Sequence, residues 1–193
     1  MTTYLSSQRN QPLQSRYRAG DQIWVREHNL SIVLNYIWET GEPIARARLT
    51  EISGLNKSTI GSLLAQLQDW GFVREAGTSS AGLGRPGVMI DIDPDGGRVI
   101  GVEIGVDFIS AVLTDLKAGS VWRRKLDLNG YGAARRCDQA QMLEQTERLI
   151  QEAIDQTQAA GQRLLGMGVG VPGLVDRATG TLLFAPNLGW SDV

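Results

Sequence analysis

The segment between Asn56 and Gly71 carries the pattern that most narrows the possible folds. Its apolar residues occupy positions i, i+3, i+4 and i+7 of a helix: Ile60, Leu63, Leu64 and Leu67. This spacing places all four on one face, so the segment is predicted to form an amphipathic helix with one buried side. Asn56 is a suitable N-cap, and Gly71 stands where a left-handed residue ends a helix.

Two other helices are predicted before this one. The first extends from Asp21, as its N-cap, to about Trp38. Its later part carries apolar residues at helical spacing, which are expected to form one buried stripe: Leu30, Val33, Leu34, Ile37 and Trp38. A short second helix is predicted over residues 46–53, and Gly54 begins a tight turn to the third helix.

The period of the sequence changes after the third helix. Residues 72–76 and 88–92 are predicted strands, joined by a loop rich in Gly, Ser and Pro. Three helices followed by a β-hairpin are the element order of a winged helix-turn-helix. We therefore predict such a domain over residues 21–92, preceded by a polar, disordered arm over residues 1–20.

A second domain is predicted over residues 99–193, after the Pro/Gly break at 93–97. Its expected elements are strands at 99–106, 110–116 and 121–128, a helix at 137–160, and a strand at 164–171. The helix should bury one face: Met142, Leu143, Thr146, Leu149, Ile150, Ala153 and Ile154. The last strand is apolar throughout, as expected of a strand buried on both faces. The order indicates an α/β domain.

The charge of the chain bears on whether it binds nucleic acid. The net charge of −2 argues mildly against it, but residues 44–88 carry a net charge of +2. Five basic residues lie there: Arg46, Arg48, Lys57, Arg74 and Arg85. Because affinity depends on the surface that faces the phosphates, a weakly positive patch is compatible with DNA binding that requires a dimer.

The exposed face of the third helix is the main candidate for DNA contact. The candidate residues are Asn56, Lys57, Ser58, Thr59, Gly61 and Ser62. Hydroxyl groups can bond to base edges or phosphates, and Gly61 allows close approach at a cost of about 1 kcal/mol relative to alanine. The alternative is that these are ordinary solvated helix residues.

A second candidate lies in the hairpin loop, where Arg85 stands between Gly84 and Pro86. A cation on a narrow, stiff loop suits the narrow minor groove of A·T-rich DNA, where the negative potential is enhanced. The alternative is an exposed loop arginine with no partner.

Other features restrict the function. The single cysteine, Cys137, excludes an internal disulfide and a cysteine-rich zinc site. The N-terminal residues lack an apolar run, so neither a signal peptide nor a membrane anchor is predicted. We expect a cytoplasmic protein with no metal site and no cofactor.

Several motifs together resemble the ROK family of repressors, open reading frames and sugar kinases, in its repressor branch. The resemblance covers nearly the whole chain from about residue 21, and its motifs lie at 25–29, 49–67, 84–86, 99–105, 166–173 and 184–190. It implies an α/β fold class: an α+β winged helix-turn-helix followed by the first part of an actin-like ATPase domain that senses a sugar.

This sequence also departs from the family pattern at several positions. Family kinases have Asp-x-Gly-Gly-Thr in the first hairpin, where backbone and threonine hold ATP phosphates, but Val106 and Asp107 replace the second glycine and the threonine. Gly173 and Asn187 match positions that approach the sugar in relatives, although both also suit turns. The catalytic aspartate motif and second lobe would lie beyond Val193, so we expect a fragment or truncated product that neither phosphorylates nor tightly binds sugar.

These observations predict a transcriptional regulator of sugar metabolism, a repressor, and not an enzyme. Its partners would be a DNA operator, a sugar effector and a second copy of the chain, whose two third helices dock into successive major grooves. Two alternatives remain: a sugar kinase with an appended helical domain, and a winged helix used for protein contacts.

Overall fold

The computed structural model describes residues 20–79, 87–128 and 138–193. The chain divides into two compact units, which are described separately. The first comprises Met1–Asp69 and Glu75–Asp91, and the second comprises Trp70–Arg74 and Ile92–Val193. The predicted arm, except for Gly20, lies outside the described residues.

The described residues of the first unit form three helices: α1 (Gly20–Thr40), α2 (Arg46–Ser53) and α3 (Lys57–Asp69). Their buried residues form one core: Leu30, Val33, Ile37, Leu49, Ile60, Leu63, Leu64 and Leu67. All four apolar residues predicted for α3 are buried. The buried face arises because residues three and four apart share one side of a helix.

Two details predicted for α1 are wrong. Asp21 is not the N-cap, because the helix already includes Gly20. Trp38 is 55% exposed. It follows Ile37, which is buried four residues after Val33, so it lies about 100° around the helix from that stripe.

The turn before α3 follows the predicted chemistry. Gly54 ends α2 in the left-handed conformation, with φ of 69°. The side-chain Oδ1 of Asn56 accepts a hydrogen bond from the backbone N–H of Thr59 over 2.8 Å, which satisfies a donor in the first turn of α3. Gly71, with φ of 73°, follows the end of that helix.

A three-stranded sheet accompanies these helices. It consists of β1 (Ile44–Ala45), β2 (Val73–Ser79) and β3 (Gly87–Ile92), in the order β1-β3-β2. Both predicted strands are therefore present as neighbours in this sheet, although β2 ends later and β3 begins earlier than predicted. Strand β1 was not predicted, because two residues give no periodic signal; Ile44 pairs with Ile90.

The second unit is built on a four-stranded sheet with the order β6-β5-β4-β7. Its elements are β4 (Arg98–Ile104), β5 (Phe108–Thr114), β6 (Ser120–Asp127), α4 (Gln139–Ala159) and β7 (Leu164–Gly170). Strand β7 is parallel to β4, and the other pairs are antiparallel. Helix α4 makes the crossover that a parallel pair requires, and it packs on β4, β5 and β6.

The core of this unit lies between the sheet and α4. Ile100, Val102, Ile109 and Ala111 on the sheet belong to one buried cluster with Met142, Leu149 and Ala153 of the helix. Leu143 was predicted to join them but is 39% exposed. It follows Met142 directly and therefore points away from the buried face.

The prediction that the 164–171 strand is buried on both faces is wrong. Every residue of β7 is exposed, and Met167 and Val169 each reach 50%. The strand lies at an edge of the four-stranded sheet, with β4 as its neighbour. The apolar composition of a strand does not show whether other elements pack on its faces, because it describes only the side chains of the strand itself.

Three short strands that were not predicted end the described chain. They are β8 (Leu174–Asp176), β9 (Thr181–Ala185) and β10 (Trp190–Ser191), in the order β10-β9-β8. Leu182, Ala185 and Trp190 belong to the buried cluster of the second unit. Each strand has five residues or fewer, which is too short for alternation to distinguish it from a turn.

Candidate nucleic-acid interface

The N-terminal half of α3 presents polar groups on its exposed side. Lys57, Ser58 and Ser62 are exposed, whereas Thr59 and Gly61 are half-buried. Asn56, just before the helix, is also exposed and accepts a hydrogen bond from the Ser58 hydroxyl over 2.7 Å. The six predicted residues thus occupy one continuous stretch at the start of a well-packed helix. Such a stretch is suited to entering a major groove, whose width admits one helix.

Asn56 and Gly61 differ in whether the fold of the chain explains the residue type found there. Asn56 caps the first turn through Thr59 and contacts Ser58, so its side chain has a structural role that needs no ligand. Gly61 has no such role, because a Cβ placed on it would meet nothing within 4 Å. Internal packing therefore gives no reason for a glycine at this position of the helix.

One residue at this surface was not found from the sequence. The guanidinium of Arg26, on α1, bonds to the side chains of Ser62 and Gln66 on α3. Arg26 lies 36 and 40 residues from these partners, so no local periodicity could have indicated the interaction. In the sequence, Arg26 belongs to the family motif at 25–29, which gives it no contact with α3.

The remaining cations of the first predicted domain differ in their partners. Arg48 forms an ion pair with Glu51 at 2.7 Å, and Arg74 lies 3.9 Å from Asp93. Arg46 and Lys57 take part in no ion pair between described residues. The predicted loop residue Arg85 lies outside the described residues. The strands on either side of it, β2 and β3, are neighbours in one sheet.

The second unit carries the hairpin that corresponds to the nucleotide loop of the predicted family. Gly105 packs tightly there, because a Cβ would approach a Phe108 ring carbon to 2.5 Å. An open cleft of about 560 Å³ is lined by residues of this hairpin and of the segment after β7, including Glu103, Asp107 and Val171. Val106 is 52% exposed at the turn. Two carboxylates beside such a cleft disfavour a phosphate.

The two candidate sugar-binding residues occupy turns near β9. A Cβ on Gly173 would lie 2.6 Å from the carbonyl oxygen of Phe184, so backbone packing requires glycine there. Asn187 is exposed in the turn at 186–189, which the Ala185 carbonyl closes by accepting from Leu188 and Gly189. Both placements agree with the turn alternative that the sequence left open.

Residues 20–79, 87–128 and 138–193 contain neither a metal-ligand cluster nor a membrane-spanning helix. Within these ranges no three His, Cys, Asp or Glu side chains lie together as metal ligands would. No helix there combines the length and apolarity needed to cross a membrane.

Comparison with known families identifies both units. Residues 32–77 match the IclR helix-turn-helix domain, and residues 99–193 match the ROK family. The chain combines an IclR-type helix-turn-helix with a ROK family domain. The family resemblance inferred from the sequence motifs is thereby confirmed. The mixed α/β fold class, with a helix-turn-helix before part of an actin-like domain, is confirmed as well.

Relatives of this chain carry regulator names. It is 32% identical over 176 residues to the xylose repressor of Bacillus subtilis (strain 168), covering 90% of this chain and 43% of that protein. It is 29% identical over 174 residues to the xylose repressor of Caldicellulosiruptor bescii, covering 90% and 42%. The chain therefore spans about two fifths of the length of these relatives.

A solved structure supports the fold. The crystal structure of a ROK family transcriptional regulator, a homologue of the Escherichia coli MLC protein, matches with a TM-score of 0.65 at 23% identity. The match covers 87% of this chain and 41% of that one. It extends over both units, so the arrangement of elements within each is that of a known fold.

Proposed function

We propose that this chain binds double-stranded DNA as a transcriptional regulator, a repressor, of sugar metabolism. The observation that carries the proposal is α3, a helix capped by Asn56 and packed by four apolar residues, with small polar groups along its exposed N-terminal half. The relatives named xylose repressors support the sugar-related role.

In the proposed complex the first half of α3 enters the major groove. Ser58, Thr59 and Ser62 would bond to base edges or phosphates, and Lys57 would neutralise a phosphate. Gly61 would let the helix backbone come close to the DNA. Arg85, in the loop that the sequence predicts, would reach the adjacent minor groove. The domain limits proposed for these roles are 21–92 for DNA binding and 99–193 for sensing.

Two copies of the chain are proposed to act together. The local net charge of +2 over residues 44–88 is small, so one copy would make few phosphate contacts, and binding strength increases with the number of phosphates neutralised. Two copies related by a two-fold axis would place their α3 helices one helical turn of DNA apart. In the full-length family context, a sugar effector bound to the complete ROK domain would alter that spacing.

The ROK domain is proposed to sense and not to catalyse. Phosphoryl transfer requires the triphosphate to be held and its charge neutralised. The corresponding hairpin instead presents a β-branched side chain, Val106, and the carboxylate of Asp107. The regulator names of the relatives agree with this proposal.

The function is tested by letting the 193-residue chain select duplexes from a random-sequence DNA pool. We expect enrichment of a two-fold symmetric motif and an affinity that falls steeply with salt concentration. Failure to retain any duplex at low salt would contradict the proposal and favour a winged helix that binds protein. Sugar-dependent ATP hydrolysis by the same preparation would favour a kinase.

A further inference from the structure

Arg26 connects the exposed sides of α1 and α3. Its Nε donates to Oε1 of Gln66 over 2.8 Å, and its Nη2 donates to Oγ of Ser62 over 3.2 Å. Ser62 and Gln66 are four residues apart, so they lie on the same face of α3. Two bonds to one face fix the guanidinium beside the middle of the helix.

These two bonds leave much of the guanidinium free to bind something else. An arginine side chain has five N–H donors in a rigid plane, of which the bonds to Ser62 and Gln66 occupy two. The other three have no acceptor among residues 20–79, 87–128 and 138–193. A planar group with several free donors matches a phosphate or a carboxylate, because both can accept two parallel bonds.

The charge of Arg26 matters because α3 supplies little of its own. The helix has one cation, Lys57, in its first turn and one anion, Asp69, at its end, and all residues between them are neutral. Arg26 therefore brings a positive charge to the neutral middle of the helix. No ion pair between described residues involves Arg26, so no carboxylate among them cancels this charge directly.

We propose that Arg26 is a phosphate-binding residue of the DNA interface, held in place by Ser62 and Gln66. This inference rests on the proposed DNA-binding function. A helix in the major groove turns one face toward the base edges at the floor of the groove. The phosphates of the two strands lie on either side of the helix. Because Arg26 belongs to α1 and lies beside α3, its guanidinium is placed for the phosphates and not for the bases.

A purely structural role is the rival explanation, in which the two bonds only join α1 to α3. Such a role would affect stability, but it would not change how strongly DNA affinity depends on salt. Each phosphate of duplex DNA that the protein neutralises contributes about 0.9 to the slope of log affinity against log salt concentration. The salt slope therefore separates the two explanations.

The test measures binding of a fluorescent mixed-sequence duplex to the 193-residue chain at several salt concentrations. Arg26→Ala should weaken binding roughly tenfold at low salt and reduce the magnitude of the slope by about 0.9 for each bound copy of the chain. Gln66→Leu should weaken binding less and leave the slope unchanged, because the charge remains. Arg177→Ala removes the same charge from an exposed turn of the second unit and serves as the matched control, with both quantities unchanged.

Thermal unfolding of each variant shows whether it is folded. If Arg26→Ala does not fold, Arg26→Gln decides, because the amide can still donate to α3 but carries no charge. A folded, uncharged variant with the slope of the parent would overturn the inference while leaving the proposed function intact. A parent chain that binds no duplex would instead contradict the proposed function itself.

Discussion

The side chain of Arg163 donates a hydrogen bond from Nε to the carbonyl oxygen of Gly96 over 2.7 Å. The same guanidinium donates through Nη2 to the carbonyl of Trp70 and lies 5.0 Å from the ring centre of Phe72. Arg163, just before β7, therefore contacts residues 70 and 72. These residues directly follow α3 in the chain and belong to the second unit. Hydrogen bonds from a charged donor to backbone carbonyls are among the stronger ones available.

Arg163→Ala is therefore predicted to loosen residues 70–74. We expect the free energy of unfolding to fall by about 1–2 kcal/mol, since the substitution removes two charge-assisted bonds and an exposed cation–π interaction. Amide hydrogen exchange in residues 70–74 and 93–96 should become faster. Arg177→Ala, which also removes an exposed arginine, is the control; equal exchange in both variants would contradict the prediction.

Gly61→Ala is predicted to raise stability and lower DNA affinity at once. Alanine in a helix interior is favoured over glycine by about 0.5–1 kcal/mol, and the added Cβ would meet nothing within 4 Å. In the complex, however, the methyl group would hold α3 away from the groove. Thermal unfolding and duplex titration measure the two effects, and a more stable variant with undiminished affinity would show that the backbone does not approach DNA there.

Ser62→Glu is predicted to abolish operator binding while leaving the fold intact. The side chain is exposed, so the larger group can be accommodated, but its carboxylate would face phosphates and could neutralise Arg26, whose Nη2 already bonds to this position. Footprinting of the enriched duplex measures binding, and circular dichroism checks the fold. Ser53→Glu would be a poor control because Ser53 is half-buried; Ser31→Glu, on an exposed position of α1, is suitable.

Arg85→Ala is predicted to weaken binding by about 1–3 kcal/mol and to flatten any preference for A·T-rich flanking sequence. The reason is that an arginine in a narrow minor groove gains from the enhanced negative potential there. Titrations with A·T-rich and G·C-rich flanks measure both effects. An equal loss of affinity for the two flanks would mean that Arg85 binds only phosphate.

The parts of the fold that could be predicted from the sequence are those that depend on local chemistry. The cap of α3 at Asn56, the buried face of that helix and the turn at Gly71 each follow from residues within a few positions of one another. The exposure of β7 depends on which segments pack against it, and the pairing of Ile44 with Ile90 depends on a distant strand. Sequence periodicity carries no information on contacts with distant segments. In the same way, the polar face of α3 was predictable, whereas its hydrogen bonds with Arg26 were not.

The ROK domain of this chain is predicted to show no sugar-stimulated ATP hydrolysis. Family kinases hold phosphates with a Gly-Gly-Thr turn, and here Val106 and Asp107 stand at its second and third positions. Val106 closes the backbone approach, and the Asp107 carboxylate repels the negative charge that the turn would have to hold. Phosphate release is measured with ATP alone and with glucose, N-acetylglucosamine or xylose added. A rate that rises with any of these sugars would show that the altered hairpin still holds a nucleotide, and that the domain is a catalyst and not a sensor.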